Sequence, residues 1–167
     1  MEVITVATQA KPKPRPKRKF AEDTVVSPER SLIETKALIK KYGGNNIRHA
    51  ETDQETIIAF EMHQRLIRFN LPYPAITDFS KNINGERRTL AQAEIARDKE
   101  IKRLWRTLVA TIKAKLIASE SGITSFEQEF LAYTVTETGE TVGEVMLPQL
   151  RNIYASGEMP PMLPPAN

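Results

Sequence analysis

His49 and His63 are the only side chains in this sequence suited to move protons near neutral pH. His49 falls in a strand-like stretch and His63 at a tight turn. Neither has a serine close by that a base would activate, so both read as structural or exposed residues. Glu51, Asp53 and Glu55 alternate as metal ligands sometimes do. Their segment lacks the turn glycine and terminal glutamate of a calcium loop, and a solvated turn is the better reading. Glu127 and Glu129 stand two apart on a predicted helix and point in different directions, which is poor geometry for paired acid–base work. Glu34-Thr35-Lys36 matches the end of a restriction-nuclease signature, but on a helix rather than a strand. There is no cysteine, so disulfides, thiolate metal sites and thiol catalysis are excluded together. No phosphate loop, HExxH helix or GxSxG elbow occurs. The reading is non-enzymatic, with no catalytic residue, metal ligand or cofactor assigned.

Charge is the stronger signal. The formal net charge of +3 conceals segregation along the chain. Residues 1–20 hold six cations, Lys11, Lys13, Arg15, Lys17, Arg18 and Lys19, against Glu2 alone. Residues 81–115 hold ten basic side chains against four acidic ones, and residues 116–167 hold Arg151 against seven glutamates. In the first zone, prolines alternate with the cations. They remove backbone donors and favour an extended track, while the cations repel one another. Nothing there can bury a core, so residues 1–26 are expected to form a disordered basic arm suited to a polyanion, or merely a solubilising tail. In the second zone, Lys99, Lys102, Arg103, Arg106 and Lys113 fall on one stripe of a helix at about 100° per residue. Arg87 and Arg88 stand just before it. The stripe is nearly of one sign and fits a phosphate backbone; the other readings are an ordinary solvated face and a docking surface for an acidic segment.

These residues are positioned by an α+β order of elements: a helix, a three-stranded antiparallel meander, a long helix and a small helical extension. Ser27-Pro28-Glu29 opens a helix over about 28–42, with Leu32, Ile33, Ala37 and Leu38 as its apolar stripe and Gly43-Gly44 as its stop. A strand around Asn46–Ala50 precedes two runs that pair about a His63-Gln64 turn. That register sets Met62 opposite Arg65, Phe60 opposite Ile67 and Ile58 opposite Phe69, and gathers the apolar side chains on one face. Residues 75–88 form a basic loop. Thr89 with Gln92 boxes the start of a helix over about 90–118, whose stripe is Ile101, Leu104, Trp105, Leu108, Ile112 and Leu116. Lys115 projects toward the apolar side, where it must snorkel or pair with Glu127 or Glu129. Thr124 with Glu127 boxes a short helix to about Tyr133, and a last helix, boxed by Thr141 with Glu144, is interrupted or restarted at Pro148. With 167 residues, 40% of them hydrophobic, one domain over 27–157 suffices, followed by a Pro-rich tail over 158–167. No apolar run approaches the roughly 20 residues of a membrane span. The N-terminus does not read as a secretory leader, and a cytoplasmic location is expected.

Several stretches carry a resemblance. Leu38 to Phe69 with Lys41-Tyr42-Gly43, Trp105-Arg106, Ile112 to Leu116, Glu120 to Thr124, Phe126 to Ala132, Val142-Gly143-Glu144 and Gly157 to Pro164 together look like a family encoded by bacteriophages and prophages. The likeness covers roughly 32–164 and excludes the arm. It implies host bacterial cytoplasm but no activity. The helix–three strands–helix order also resembles the double-stranded RNA-binding domain and the single-strand annealing core, in topology only. The expectation is a small phage or prophage protein that binds DNA or RNA through its backbone. The rival expectation is an interaction module that meets a host or phage protein through the acidic C-terminal region and the Met- and Pro-rich tail Met159–Pro165, which suits an apolar groove. The alternative is that this tail packs back on its own domain.

Overall fold

The computed structural model describes residues 18–157, so Lys11, Lys13, Arg15, Lys17 and the tail 158–167 lie outside the described residues. The fold is α+β. Helix α1 (Pro28–Lys41) begins where the Ser27 hydroxyl accepts the Arg30 amide, with proline already fitted to its first turn. Gly43, at φ +88°, turns the chain in the left-handed conformation that only glycine adopts without strain. Gly44 then runs so close beneath the helix that a Cβ there would sit 2.4 Å from Ile39 Cγ2.

Strands β1 (Asn45–Glu51), β2 (Glu55–Met62) and β3 (Arg65–Pro72) form an antiparallel meander in the order β1-β2-β3. The β2–β3 register is the one the sequence requires, with Met62 opposite Arg65, Phe60 opposite Ile67 and Ile58 opposite Phe69. His63 and Gln64 both adopt positive φ, +49° and +59°, which is the twist a two-residue hairpin demands. Neither residue favours that conformation. The His63 ring rests 4.7 Å from that of Phe126, a tertiary contact that an Asn-Gly turn would not have made.

Helix α2 (Leu90–Glu120) lies across the sheet. Thr89 and Gln92 cap each other's backbone amides at its start. Ile58, Phe60, Met62, Ile67 and Phe69 from the sheet meet Ile101, Trp105, Leu108, Ile112 and Leu116, and helix α3 (Phe126–Phe130) closes the end of this core with Phe126 and Phe130. Phe130 stands edge-on to both Phe60 and Phe69 with ring centroids 6.3 Å apart, the arrangement that ring quadrupoles favour. A 3-10 turn, Leu131–Tyr133, stacks Tyr133 on Phe69. Thr134 and Val135 then pair with the free edge of β3 before helix α4 (Val142–Ser156).

Four expectations change. Ile33 and Ala37 on α1 are exposed, while the buried positions are Ser31, Thr35 and Ile39. Small side chains let α1 approach α2 closely, and the Thr35 hydroxyl is satisfied by the Ser31 carbonyl at 2.8 Å. Leu104 is only half-buried, and Val109 takes a place in the core instead. Pro148 neither interrupts nor restarts α4, which is continuous through it. Residues 18–26 belong to the fold rather than the arm: Glu22 and Thr24 donate to Lys19 and Ala21 carbonyls in a turn set against α2.

At the β1–β3 end, Trp105 Nε1–H donates to the Tyr73 hydroxyl at 3.0 Å, and Tyr73 donates to Glu51 at 2.6 Å. Burial, and then the Glu51 carboxylate, push the Tyr73 phenol up to about 12. An unfolded phenol ionises near 10, so Tyr73 stabilises the fold fully below about pH 10 and progressively less as pH rises toward 12. An ultraviolet titration of the four tyrosines should therefore end on a late step that Tyr73→Phe removes. The same substitution should cost about 1–3 kcal/mol in urea denaturation near neutrality, because it leaves the buried indole N–H without its acceptor.

Candidate nucleic-acid interface

The five cations of the α2 stripe separate once the chain folds. Arg103 bonds Glu100 through two parallel contacts, Nε to Oε2 at 2.9 Å and Nη2 to Oε1 at 2.8 Å, with both side chains largely covered. Arg106 reaches across to Glu34 on α1. Lys102 is half-buried and lends a smaller share to Glu29, whose carboxyl is held low chiefly by the Ser27 hydroxyl. Lys99 stands 3.4 Å from Asp23, and Lys113 is exposed. The near-single sign belongs to the stripe taken alone. Glu100 of α2 itself pairs with Arg103, the other anions arrive from α1 and from the turn at residues 18–26, and Arg106 with Glu34 joins α2 to α1.

The loop before α2 is built by its own polar side chains. Asn82 Oδ1 accepts the Asn84 and Glu86 amides at 2.9 and 3.0 Å, and Lys81 bridges to Arg87 through the backbone. Arg88 is spent on this loop, donating to the Lys81 carbonyl at 3.0 Å and the Phe79 carbonyl at 3.4 Å. Arg87 remains exposed. Asn82, Glu86, Arg87, Arg88, Gln92 and Lys99 line an open cleft of about 580 Å³ at the head of α2.

Arg18 and Lys19 mark where the N-terminal segment meets the fold. Arg18 pairs with Asp23, and Lys19 Nζ lies 3.6 Å from Glu100. Lys99 lines both the cleft and a neighbouring hollow of about 470 Å³ with Asp23, Thr24 and Lys102. The described start of the chain therefore runs beside the cleft. This juxtaposition brings Arg18, Lys19, Arg87, Arg88 and Lys99 to one end of α2; Lys113 lies roughly 21 Å further along. The chain matches no family model, no curated protein and no solved structure. The neighbourhood of residues 18–23 and 99–103 escaped the sequence reading because it joins segments some eighty positions apart. The alternation of Glu22, Asp23 and Lys19 ahead of a proline-capped helix was its only trace.

His49 and Lys115 have structural partners. His49 Nε2 lies 2.9 Å from the Thr56 hydroxyl. Lys115 takes Glu129 of the two anions within reach, bonding its carbonyl at 2.8 Å and facing the Tyr133 ring at 5.2 Å. Among the described residues, no cluster of three potential metal ligands occurs.

Arg103 holds Glu100 below the usual carboxylate range, mainly by direct hydrogen bonding. A depressed carboxyl stabilises the fold above the unfolded value of about 4.3 and loses that contribution as pH falls through its folded value. Glu100→Gln should cost about 1 kcal/mol near neutrality, between an exposed pair and a buried one. The gap from the unsubstituted protein should close as urea melts are repeated at progressively more acidic pH.

Proposed function

We propose that this protein binds DNA or RNA through the phosphate backbone and performs no chemistry on it, in keeping with its resemblance to phage- and prophage-encoded proteins. The observation that supports this reading is that Arg18 and Lys19, at the described start of the chain, lie at the same end of α2 as the cleft lined by Arg87, Arg88 and Lys99. Arg87 and Lys99 line that cleft, and Arg88 braces the loop that carries Arg87. Lys11, Lys13, Arg15 and Lys17 precede the point where the chain meets this end of the helix. A proline-spaced string of cations in the same chain as a basic cleft suits a phosphate backbone without reading bases, since it offers charge and reach rather than a shaped set of donors. Arg106, paired with Glu34, belongs to the seam between α1 and α2, and Arg103, paired with Glu100 within α2, is likewise left out of the seat.

A second reading has its own observation. Helix α4 exposes much of its apolar stripe, as a module that meets another protein would. On that reading the acidic C-terminal region faces a host or phage protein, and the charge at the head of α2 serves solubility.

Fluorescence titration of labelled single- and double-stranded oligonucleotides at two salt concentrations separates the readings. Binding should weaken steeply with salt. Removing residues 1–17 should reduce the slope of log affinity against log salt by roughly 0.9 for each duplex phosphate that the arm no longer neutralises. Arg87→Glu with Lys99→Glu should lower the remaining affinity about tenfold or more, whereas Lys113→Glu should leave it nearly unchanged. Absence of binding at low salt to every oligonucleotide would sink the proposal and leave the module reading in its place.

A further inference from the structure

Helix α4 carries a continuous apolar stripe. Val142, Met146, Leu150 and Ile153 recur at helical spacing, with Leu147 and Tyr154 beside them and Glu144 and Arg151 on the far side. Only the first turn is seated. Gly143 passes so close to the Leu131–Tyr133 turn that a Cβ would lie 2.8 Å from the Ala132 carbonyl oxygen. No residue of α4 is buried, and Leu147 and Tyr154 are 51% and 70% exposed. Between α4 and that turn runs an apolar groove of about 510 Å³, lined by Leu131, Tyr133, Val142, Met146, Leu147 and Leu150.

We propose that residues 159–165 of the same chain, Met-Pro-Pro-Met-Leu-Pro-Pro, occupy this groove and cover the stripe. The tail begins where it must. Gly157 takes φ +73° at the end of α4, the left-handed stop that takes the chain off the helix axis beside the stripe's outer end. After Glu158 the remaining nine residues carry no charged side chain. Length also fits: α4 spans roughly 22 Å, and a polyproline track covers that in about seven residues at ~3.1 Å each. A track running back along the helix would bring Met159 level with Ile153 and Tyr154, and Met162, roughly 15 Å from Gly157, level with Leu147 and Leu150. Its threefold repeat would set Met159, Met162 and Pro165 on one side, and flexible methionines fill an irregular groove well. Two proline pairs reduce the entropy lost on docking. A segment tethered directly to the helix is present at an effective concentration of order millimolar, which a second copy or a foreign partner must exceed.

The sequence has no cysteine, so two introduced thiols report on this contact alone. In the full chain, Leu147→Cys with Met162→Cys should oxidise to an intrachain disulfide, read as a monomer on non-reducing electrophoresis and a mass loss of two hydrogens. Its yield should be independent of protein concentration and several-fold above that of Lys113→Cys with Met162→Cys, since Lys113 lies outside the groove. Deleting residues 158–167 should speed amide exchange in the second half of α4 roughly tenfold while leaving the β2–β3 core amides unchanged. A disulfide that forms between chains would overturn the proposal in favour of a second copy. No cross-linking above the control, or unchanged exchange in α4 after deletion, would overturn it in favour of an outside partner.

Discussion

The architecture depends on the Trp105 side chain, which is both the largest buried group on α2 and a hydrogen-bond donor. An indole is expensive to bury unless its N–H finds an acceptor, and Tyr73 supplies one just beyond the end of β3. Tyr73 in turn donates to Glu51 at the end of β1, so one relay ties the long helix to the sheet through both of its outer strands. Arg97, two helical turns before Trp105, reinforces the same corner by donating to the Pro74 and Asp53 carbonyls at 2.9 and 2.6 Å. With that corner fixed, the axis of α2 relative to the strands is set, and so is everything mounted on the helix.

Helix α2 holds two unlike surfaces apart. At roughly 46 Å long, it carries the basic cleft at its first turns and supports α3 and the base of α4 near its last ones. The segregation of charge along the sequence becomes a segregation in space because the helix is straight enough to keep its ends distinct. Between them, α1 lies along the helix and neutralises the middle of the cationic stripe through Glu34. The same ion pairing that joins the helices therefore takes up charge in the middle of α2, leaving Arg87 exposed near its head and Lys113 exposed further along.

Local chemistry made much of this legible. The capping boxes at Thr89 and Thr141, the glycine stop after α1 and the β2–β3 register are all set by residues a few positions apart and stand as the spacing predicts, whereas α3 is boxed by Ser125 with Gln128 rather than by Thr124 with Glu127. What was illegible depended on partners far along the chain. Apolar periodicity assigned Ile33 to the face of α1, whereas close helix contact selected Ser31 and Thr35, whose small size matters more there than their polarity. The cationic stripe looked unopposed because Glu34 and Asp23 belong to other segments. Residues 18–26 looked like arm because their composition is polar, yet Lys19 and Asp23 meet counter-charges on α2.

Pro148 belongs to the same lesson, with the opposite outcome. Its ring forbids one helical hydrogen bond and crowds the preceding turn, so its tolerance requires the lost acceptor to face solvent. On α4 it lies away from the apolar stripe, on the exposed side, where water serves the freed carbonyl. A proline on the stripe side would have broken the continuity of Val142, Met146, Leu150 and Ile153. Glu144 anchors the start of this helix by accepting the Thr141 amide at 2.6 Å and Arg68 of β3 at 2.6 Å, a clasp that closes where the apolar contacts are few. The polar side of α4 is thus fastened to the sheet while its apolar side is left open. A helix held by its charges rather than its hydrophobic face keeps that face available, which is the physical condition any docking at this end of the molecule requires.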